Sequence, residues 1–137
     1  MPDQRENPSS LRRFLWFHLP VILYAAGIIV VSSLPNLKSP QLRLFTFDKV
    51  AHFLEYAVFA LLVFRSFYNL GAIRKLRRAL LLSALFVCVF ALLDEFYQHF
   101  IPGRHSDPAD FVTDLVGAML ILVVLGLWHR RRREPSS

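Results

Sequence analysis

Apolar residues fill four long stretches of this chain, and short polar segments separate them. Each stretch reaches or approaches the ~20 residues that an α-helix needs to cross the hydrocarbon core of a membrane. The stretches cover residues 14–34, 48–67, 79–99 and 109–128. The pattern predicts an all-α fold, an integral membrane four-helix bundle formed by residues 11–130. A disordered polar tail at 1–10 and a basic tail at 131–137 flank it.

The first apolar stretch has the basic start of a signal peptide, since it follows Arg12 and Arg13. It is longer than the apolar region of a signal peptide, and no small-x-small cleavage site follows it. We therefore interpret it as a retained helix. Pro20 lies inside this stretch and predicts a kink or the end of an interfacial turn, because proline cannot donate a backbone hydrogen bond.

Composition supports a membrane protein. A hydrophobic content of 55% and a mean hydropathy of +0.42 are too apolar for a soluble domain of 137 residues, which must cover its surface with polar groups. The single cysteine, Cys88, lies in the third stretch, so it cannot form an intramolecular disulfide. We interpret it as an inert buried side chain.

Basic residues predict the orientation of the bundle. Twelve of the 16 Lys and Arg residues fall on the side of the two termini and the 69–78 loop. An excess of basic residues in short loops marks the cytoplasmic face, so we expect both termini to be cytoplasmic. The net charge of +6 then reflects topology and contact with anionic inner-leaflet lipids, and nucleic acid is not an expected partner.

Acidic residues follow the opposite distribution. Seven of the ten carboxylates lie at or just inside the outer ends of the apolar stretches. An ionisable group at membrane depth costs roughly 2.5 to 3.5 kcal/mol, so a shared polar site is the expected reason for their position. The seven are Asp48, Glu55, Asp94, Glu95, Asp107, Asp110 and Asp114.

Helical register groups polar residues on one face of three of the four helices. At 100° per residue, each set spans about a third of its helix circumference. On the last helix, Gly117 and Ala118 share the acidic face and would permit close helix contact. We expect the three faces to converge in a shallow outward-facing acidic site. The sets are Asp48, His52, Glu55 and Tyr56; Asp94, Glu95, Gln98 and His99; and Asp107, Asp110 and Asp114.

The same residues carry a resemblance to a known family. The runs DKVAHFLEY at 48–56 and DEFYQHFIPGR at 94–104, followed by Asp107, Asp110 and Gly117, resemble the VanZ-like family of small bacterial membrane proteins. The resemblance implies a multi-pass protein of the bacterial cytoplasmic membrane. The family's namesake is associated with low-level resistance to the glycopeptide antibiotic teicoplanin, and the family has no securely assigned biochemical activity. Asp114 stands where many relatives carry Asn, which makes this site more acidic.

A binding or accessory role at the cell envelope is the favoured function. In this hypothesis the site recognises a lipid-linked cell-wall precursor or an envelope protein, and membrane lipids surround the bundle. Arg104 follows a turn-forming Pro-Gly pair, and its fork suits a phosphate or a carboxylate. The expected binding residues are Asp48, Lys49, Tyr56, Gln98, Arg104, Asp107, Asp110 and Asp114.

The alternative is a membrane enzyme that acts on a lipid-linked phosphate or glycan. His52 and Glu95 would be the catalytic acid and base, and Arg104 with Lys49 would clamp the anion. A divalent cation held by Glu95, Asp110 and Asp114 would reconcile acidic residues with a phosphate ligand. A structural ion-pair network without a ligand also stays open. Transport is disfavoured, because no charges span the full depth of the four helices.

Overall fold

A computed structural model of the chain describes residues 10–35, 45–70, 72–73, 75–103 and 107–132, without the side chains of 45–48. Within these ranges helix is the only regular secondary structure. The predicted all-α fold is confirmed. The helices are α1 (Ser10–Phe17), α2 (Leu19–Ser32), α3 (Phe45–Tyr68), α4 (Leu76–Gln98) and α5 (Pro108–Arg131).

Four spans in this structure are long and apolar enough to cross a membrane, as the sequence predicted. The first combines α1 and α2 as Ser10–Ser32. It begins before the predicted start at residue 14, because Arg12 and Arg13 are helical although they are not apolar. The fourth continues through Arg131, one residue into the predicted basic tail. The other spans are Lys49–Tyr68 and Leu76–Gln98.

The break between α1 and α2 lies at His18, two residues before Pro20. Proline is tolerated in the first turn of a helix, where its missing N–H has no intrahelical acceptor to lose, and Pro20 occupies that position in α2. The backbone keeps a helical path across the break, since the N–H of His18 donates to Phe14 and that of Ile22 donates to His18. The structure therefore shows a one-residue break in the helix near Pro20, and the predicted kink stays a prediction.

Helix α3 lies at the centre of the bundle and contacts every other helix. In an apolar 18-residue window of its span, 39% of the residues are buried within the protein, against 6% in the corresponding window of the first span. Phe59 of α3 is fully buried and contacts aromatic rings of two neighbouring helices, with ring centroids 6.2 Å from Tyr24 and 4.7 Å from Phe90. Burying aromatic rings of this size dominates core energetics, so Phe59 anchors the first span and α4 to α3.

Small residues set the distance between α3 and α5. A side chain at Gly117 would collide with the backbone carbonyl oxygen of Phe53 and approach its carbonyl carbon to 3.0 Å. Ala118 beside it is fully buried. The predicted close helix contact at this face is confirmed, and it brings the polar residues of α3 and α5 within hydrogen-bond reach.

Many large apolar side chains point away from the bundle and are exposed, including Leu85, Leu93 and Phe96 of α4. In a soluble protein an apolar surface of this extent would be a liability for aggregation. In a membrane the same apolar surface contacts the lipid chains and is compatible with them. The exposed apolar side chains therefore agree with a membrane-embedded bundle.

Candidate functional site

Ion pairs join α3 to α5 at the start of α5. Lys49 Nζ donates to Asp107 Oδ2 at 2.9 Å and also contacts Asp110 Oδ1. One helical turn further along, His52 Nδ1 lies 3.0 Å from Asp114 Oδ1, and its Nε2 lies 4.0 Å from Asp110 Oδ2. Asp110 is fully buried, so it depends on these partners to offset its desolvation. We call these five residues the α3/α5 cluster.

Local sequence places the α3/α5 cluster. Asp107 caps α5, because its side chain accepts a hydrogen bond from the backbone N–H of Ala109 at 2.9 Å, and Pro108 suits the first helical position. Asp110 and Asp114 then follow on one face at i+3 and i+7. The same face carries Gly117, whose contact with Phe53 fixes the register that aligns Asp114 with His52.

A second group of polar side chains joins α2, α3 and α4. Asp94 Oδ2 accepts hydrogen bonds from the Tyr56 hydroxyl at 3.3 Å and from Gln98 Nε2 at 3.1 Å. Gln98 Nε2 also reaches Ser32 Oγ at 3.4 Å. All four side chains are buried, and we call them the α3/α4 cluster. Asp94 Oδ1 is buried and has no hydrogen-bond partner in the described part of the chain.

The two clusters are neighbours. Tyr56 follows His52 by one turn of α3, and Asp94 is near enough to influence Asp114 electrostatically. We call the union of the two clusters the polar site. Polar side chains of α3, α4 and α5 therefore lie close together, and α2 adds Ser32 to them. That they form one outward-facing acidic site stays a prediction.

Some predicted site residues lie outside the polar site as described. Arg104 and the side chain of Asp48 fall outside the described residues. Glu95 is half-buried on α4, and its role as the partner of His52 in acid-base chemistry stays a prediction. His99, which the helical register placed on the polar face, is exposed.

The sequence placed Asp94 on a converging polar face but not among the named catalytic or binding residues, and it gave Ser32 no role. Both are buried, with exposed fractions of 7% for Asp94 and 3% for Ser32. The signal for Asp94 was present, since Val87 and Ala91 precede it on the same face of α4 and are fully buried. Ser32 was given no role from the sequence, because a serine near a helix end is more often a simple cap or turn residue.

The described residues contain no group of three or more His, Cys, Asp or Glu side chains that could hold a metal ion. The predicted cation ligands were Glu95, Asp110 and Asp114. Asp110 and Asp114 instead contact Lys49 and His52. A divalent cation therefore stays a prediction, without a ligand set in the described part of the chain.

Comparison with known proteins gives one family match that covers nearly the whole chain. The model of the family described as VanZ/LLP1 matches residues 5–129. This range contains both clusters, the first three spans and all but the last two residues of the fourth.

A curated relative also matches. It is an uncharacterized protein of the fission yeast Schizosaccharomyces pombe, C11E3.10, which is 39% identical over 88 residues. The match covers 64% of this chain and 51% of the yeast protein, so the chain spans about half the length of that relative. No solved structure matches the chain.

Proposed function

Because the chain belongs to the VanZ/LLP1 family and has four spans apolar enough to cross a membrane, we propose that it is a multi-pass membrane protein whose polar site binds an envelope molecule. The ligand we propose is lipid-linked and presents hydrogen-bond donors, amine or hydroxyl, to the buried carboxylates. In this role the protein is a binding or accessory factor and leaves its ligand chemically unchanged.

The observation that carries this proposal is the hydrogen bonding of the two carboxylate oxygens of Asp94. One of its oxygens accepts two hydrogen bonds from neutral donors, whereas Oδ1 is buried without any in the described part of the chain. Leaving a buried polar group unsatisfied costs about 1 to 3 kcal/mol. A donor group of a ligand at this oxygen would recover that cost, and a charged acceptor makes such a hydrogen bond stronger than a neutral pair.

Orientation belongs to the same proposal. An even number of spans leaves both termini on one side, and the basic residues favour the cytoplasm for that side. The polar site would then open outward, where envelope precursors are used. We propose the bacterial cytoplasmic membrane from the family resemblance, although a relative of the chain occurs in fission yeast.

Binding can be tested with a defined probe. Purified protein in mild detergent is mixed with an undecaprenyl-pyrophosphate-linked disaccharide peptide, which carries amine and hydroxyl donors, or with undecaprenyl phosphate, which lacks them. We expect the first probe to bind more tightly. Asp94→Asn should weaken that binding roughly 10- to 100-fold, because it replaces a charged acceptor with a partly donating amide.

Ser33→Ala is the matched control. Ser33 lies beside the polar site and its hydroxyl contacts the Tyr97 hydroxyl at 3.0 Å, yet it belongs to neither cluster. Binding should survive this change. Equal binding of both probes, or full binding by Asp94→Asn, would refute the proposal.

An enzyme is the second candidate, and the contact between His52 and Asp114 favours it. A carboxylate 3.0 Å from Nδ1 orients the imidazole, as in other base–carboxylate pairs. Nε2, which lies 4.0 Å from Asp110 Oδ2, is the nitrogen that would exchange a proton with a substrate. The test is phosphate release from the pyrophosphate-linked probe. Release by the wild type that disappears in His52→Gln would establish the enzyme and overturn the accessory role, whereas no release supports the accessory role.

A further inference from the structure

A groove runs between α4 and α5 on the surface of the bundle that faces hydrocarbon. Its volume is about 330 Å³. Gly126 and Ala84 are its smallest lining residues, and the groove is open at their level because neither carries a bulky side chain. Apolar side chains form the rest of its walls, and the single charged residue at its edge is Arg130. The apolar walls are Leu80, Leu81, Met119, Leu122, Val123 and Leu127.

The length of this groove matches one leaflet. From Met119 to Arg130, eleven residues at 1.5 Å each span about 16 Å along α5. Half of the ~30 Å hydrocarbon core is about 15 Å, which is the depth that one lipid acyl chain occupies. The groove therefore fits an acyl chain that begins at the membrane surface near Arg130 and ends near the middle of the bilayer.

Helical spacing places a second arginine, Arg77, at the same end of the groove as Arg130. The close approach of Gly126 to Leu80 Cδ1 fixes the register of the two antiparallel helices, so Arg77 lies one turn before Leu80 at the level of Arg130. Arg77, Leu81 and Ala84 recur at i, i+4 and i+7 and share one face of α4. Both arginines are exposed, and no acidic side chain in the described part of the chain pairs with either.

From the apolar groove and the two arginines at its end we propose a binding site for an anionic phospholipid. One acyl chain lies against Gly126 and Ala84, and the headgroup phosphate is held by Arg130 and Arg77. Guanidinium groups suit phosphate because they donate two parallel hydrogen bonds. Surface arginines near an anionic leaflet also gain from its negative potential.

This lipid site is separate from the polar site. Asp110 and Arg130 lie twenty residues apart on α5, which places them about 30 Å apart along the helix axis. The lipid site therefore lies in the opposite leaflet. Its occupancy does not depend on what the polar site binds, and the two proposals can fail independently.

The experiment compares phosphatidylglycerol with phosphatidylcholine as probes, with bound lipid counted by native mass spectrometry of the full chain in detergent. We expect one phosphatidylglycerol to be retained preferentially. The double variant Arg77→Gln/Arg130→Gln should weaken its retention about tenfold or more. The matched control is Arg78→Gln/Arg131→Gln, which removes two exposed charges beside the groove and should have a much smaller effect.

A third variant tests whether an acyl chain occupies the groove. Ala84→Phe fills the groove and keeps both arginines, so it should also reduce retention of phosphatidylglycerol. Equal retention of the two lipids, equal effects of the two double variants, or full retention by Ala84→Phe would each overturn the lipid site. Binding of the undecaprenyl-linked probe at the polar site should be unchanged in all of these variants.

Discussion

The approach of α3 to α5 at Gly117 gives the sharpest test of the fold. A Cβ at this position would lie 3.0 Å from the Phe53 carbonyl carbon and closer still to its oxygen. Carbon atoms in good contact are about 3.5 to 4.0 Å apart, so Gly117→Ala must open the helix pair by at least about 0.5 Å. The neighbour is backbone and cannot rotate away.

The cost of this opening has two parts. Overpacking a close contact typically costs about 1 to 3 kcal/mol. The same movement would stretch the contact between His52 and Asp114 from 3.0 Å toward the limit of a hydrogen bond at about 3.5 Å, which removes much of its roughly 1 kcal/mol. Replacing helical glycine with alanine returns roughly 0.5 to 1 kcal/mol. We expect a net loss of about 2 kcal/mol in the free energy of unfolding.

Two other helical glycines provide matched controls for the same substitution. Gly27 has no atom within 4 Å of its added Cβ, so Gly27→Ala should be neutral or should stabilise the protein by up to about 1 kcal/mol. Gly126 has Leu80 Cδ1 at 3.1 Å, and this flexible side-chain end can move, so Gly126→Ala should have a small effect. Unfolding of the purified proteins is followed in mild detergent by SDS titration. A stability of Gly117→Ala equal to that of Gly27→Ala would show that α3 and α5 do not pack as described.

Two further predictions concern charge and topology. Lys49→Met should cost about 3 to 5 kcal/mol of stability because it leaves Asp110 buried without its ammonium partner, and adding Asp110→Asn should recover most of that loss; an additive double mutant would contradict the ion pair. In a Cys88→Ser background, a thiol introduced at Ser106 should react with an impermeant reagent in intact cells and a thiol at Ser9 should not, and the reverse pattern would refute the proposed orientation.

The fold was predictable because the information for it is local. Apolar length and helical register are properties of short segments. They predicted four spans and the faces of α3, α4 and α5 that carry the buried polar residues. The shared face of Asp110, Asp114 and Gly117 predicted the close packing of α5, which the contact at Phe53 confirms. Helix ends were less predictable, because charged residues such as Arg12 can extend a helix into the interface.

It was harder to predict from the sequence which of two neighbouring acids, Asp94 or Glu95, faces the interior of the bundle. Asp94 and Glu95 point 100° apart on α4, and a wide polar arc contains both. The rotation of α4 in the bundle decides which one faces inward. Packing of Phe90 against Phe59 helps to set that rotation, and this contact joins residues distant in sequence. The hydrogen bond that brings Ser32 to Gln98 depends on tertiary packing in the same way.

The two clusters differ in how their charges are balanced, and this difference separates stability from binding. In the α3/α5 cluster, Asp107 and Asp110 face the Lys49 ammonium and Asp114 faces the His52 imidazole. In the α3/α4 cluster, Asp94 contacts only neutral donors within the described residues. A buried carboxylate that already faces a cationic or imidazole partner needs no ligand to balance its charge.

The α3/α5 cluster is therefore suited to hold two helices in register, whereas Asp94 is suited to receive a donor from outside. Removing the ammonium of Lys49 should lower the free energy of unfolding, because Asp110 is then left buried without its ammonium partner. Changing Asp94 to Asn should weaken ligand binding while the hydrogen bond from Tyr56 can still form, since the amide oxygen accepts as the carboxylate did. A large loss of stability in Asp94→Asn without a loss of binding would instead place Asp94 among the structural residues and leave the proposed ligand without its acceptor.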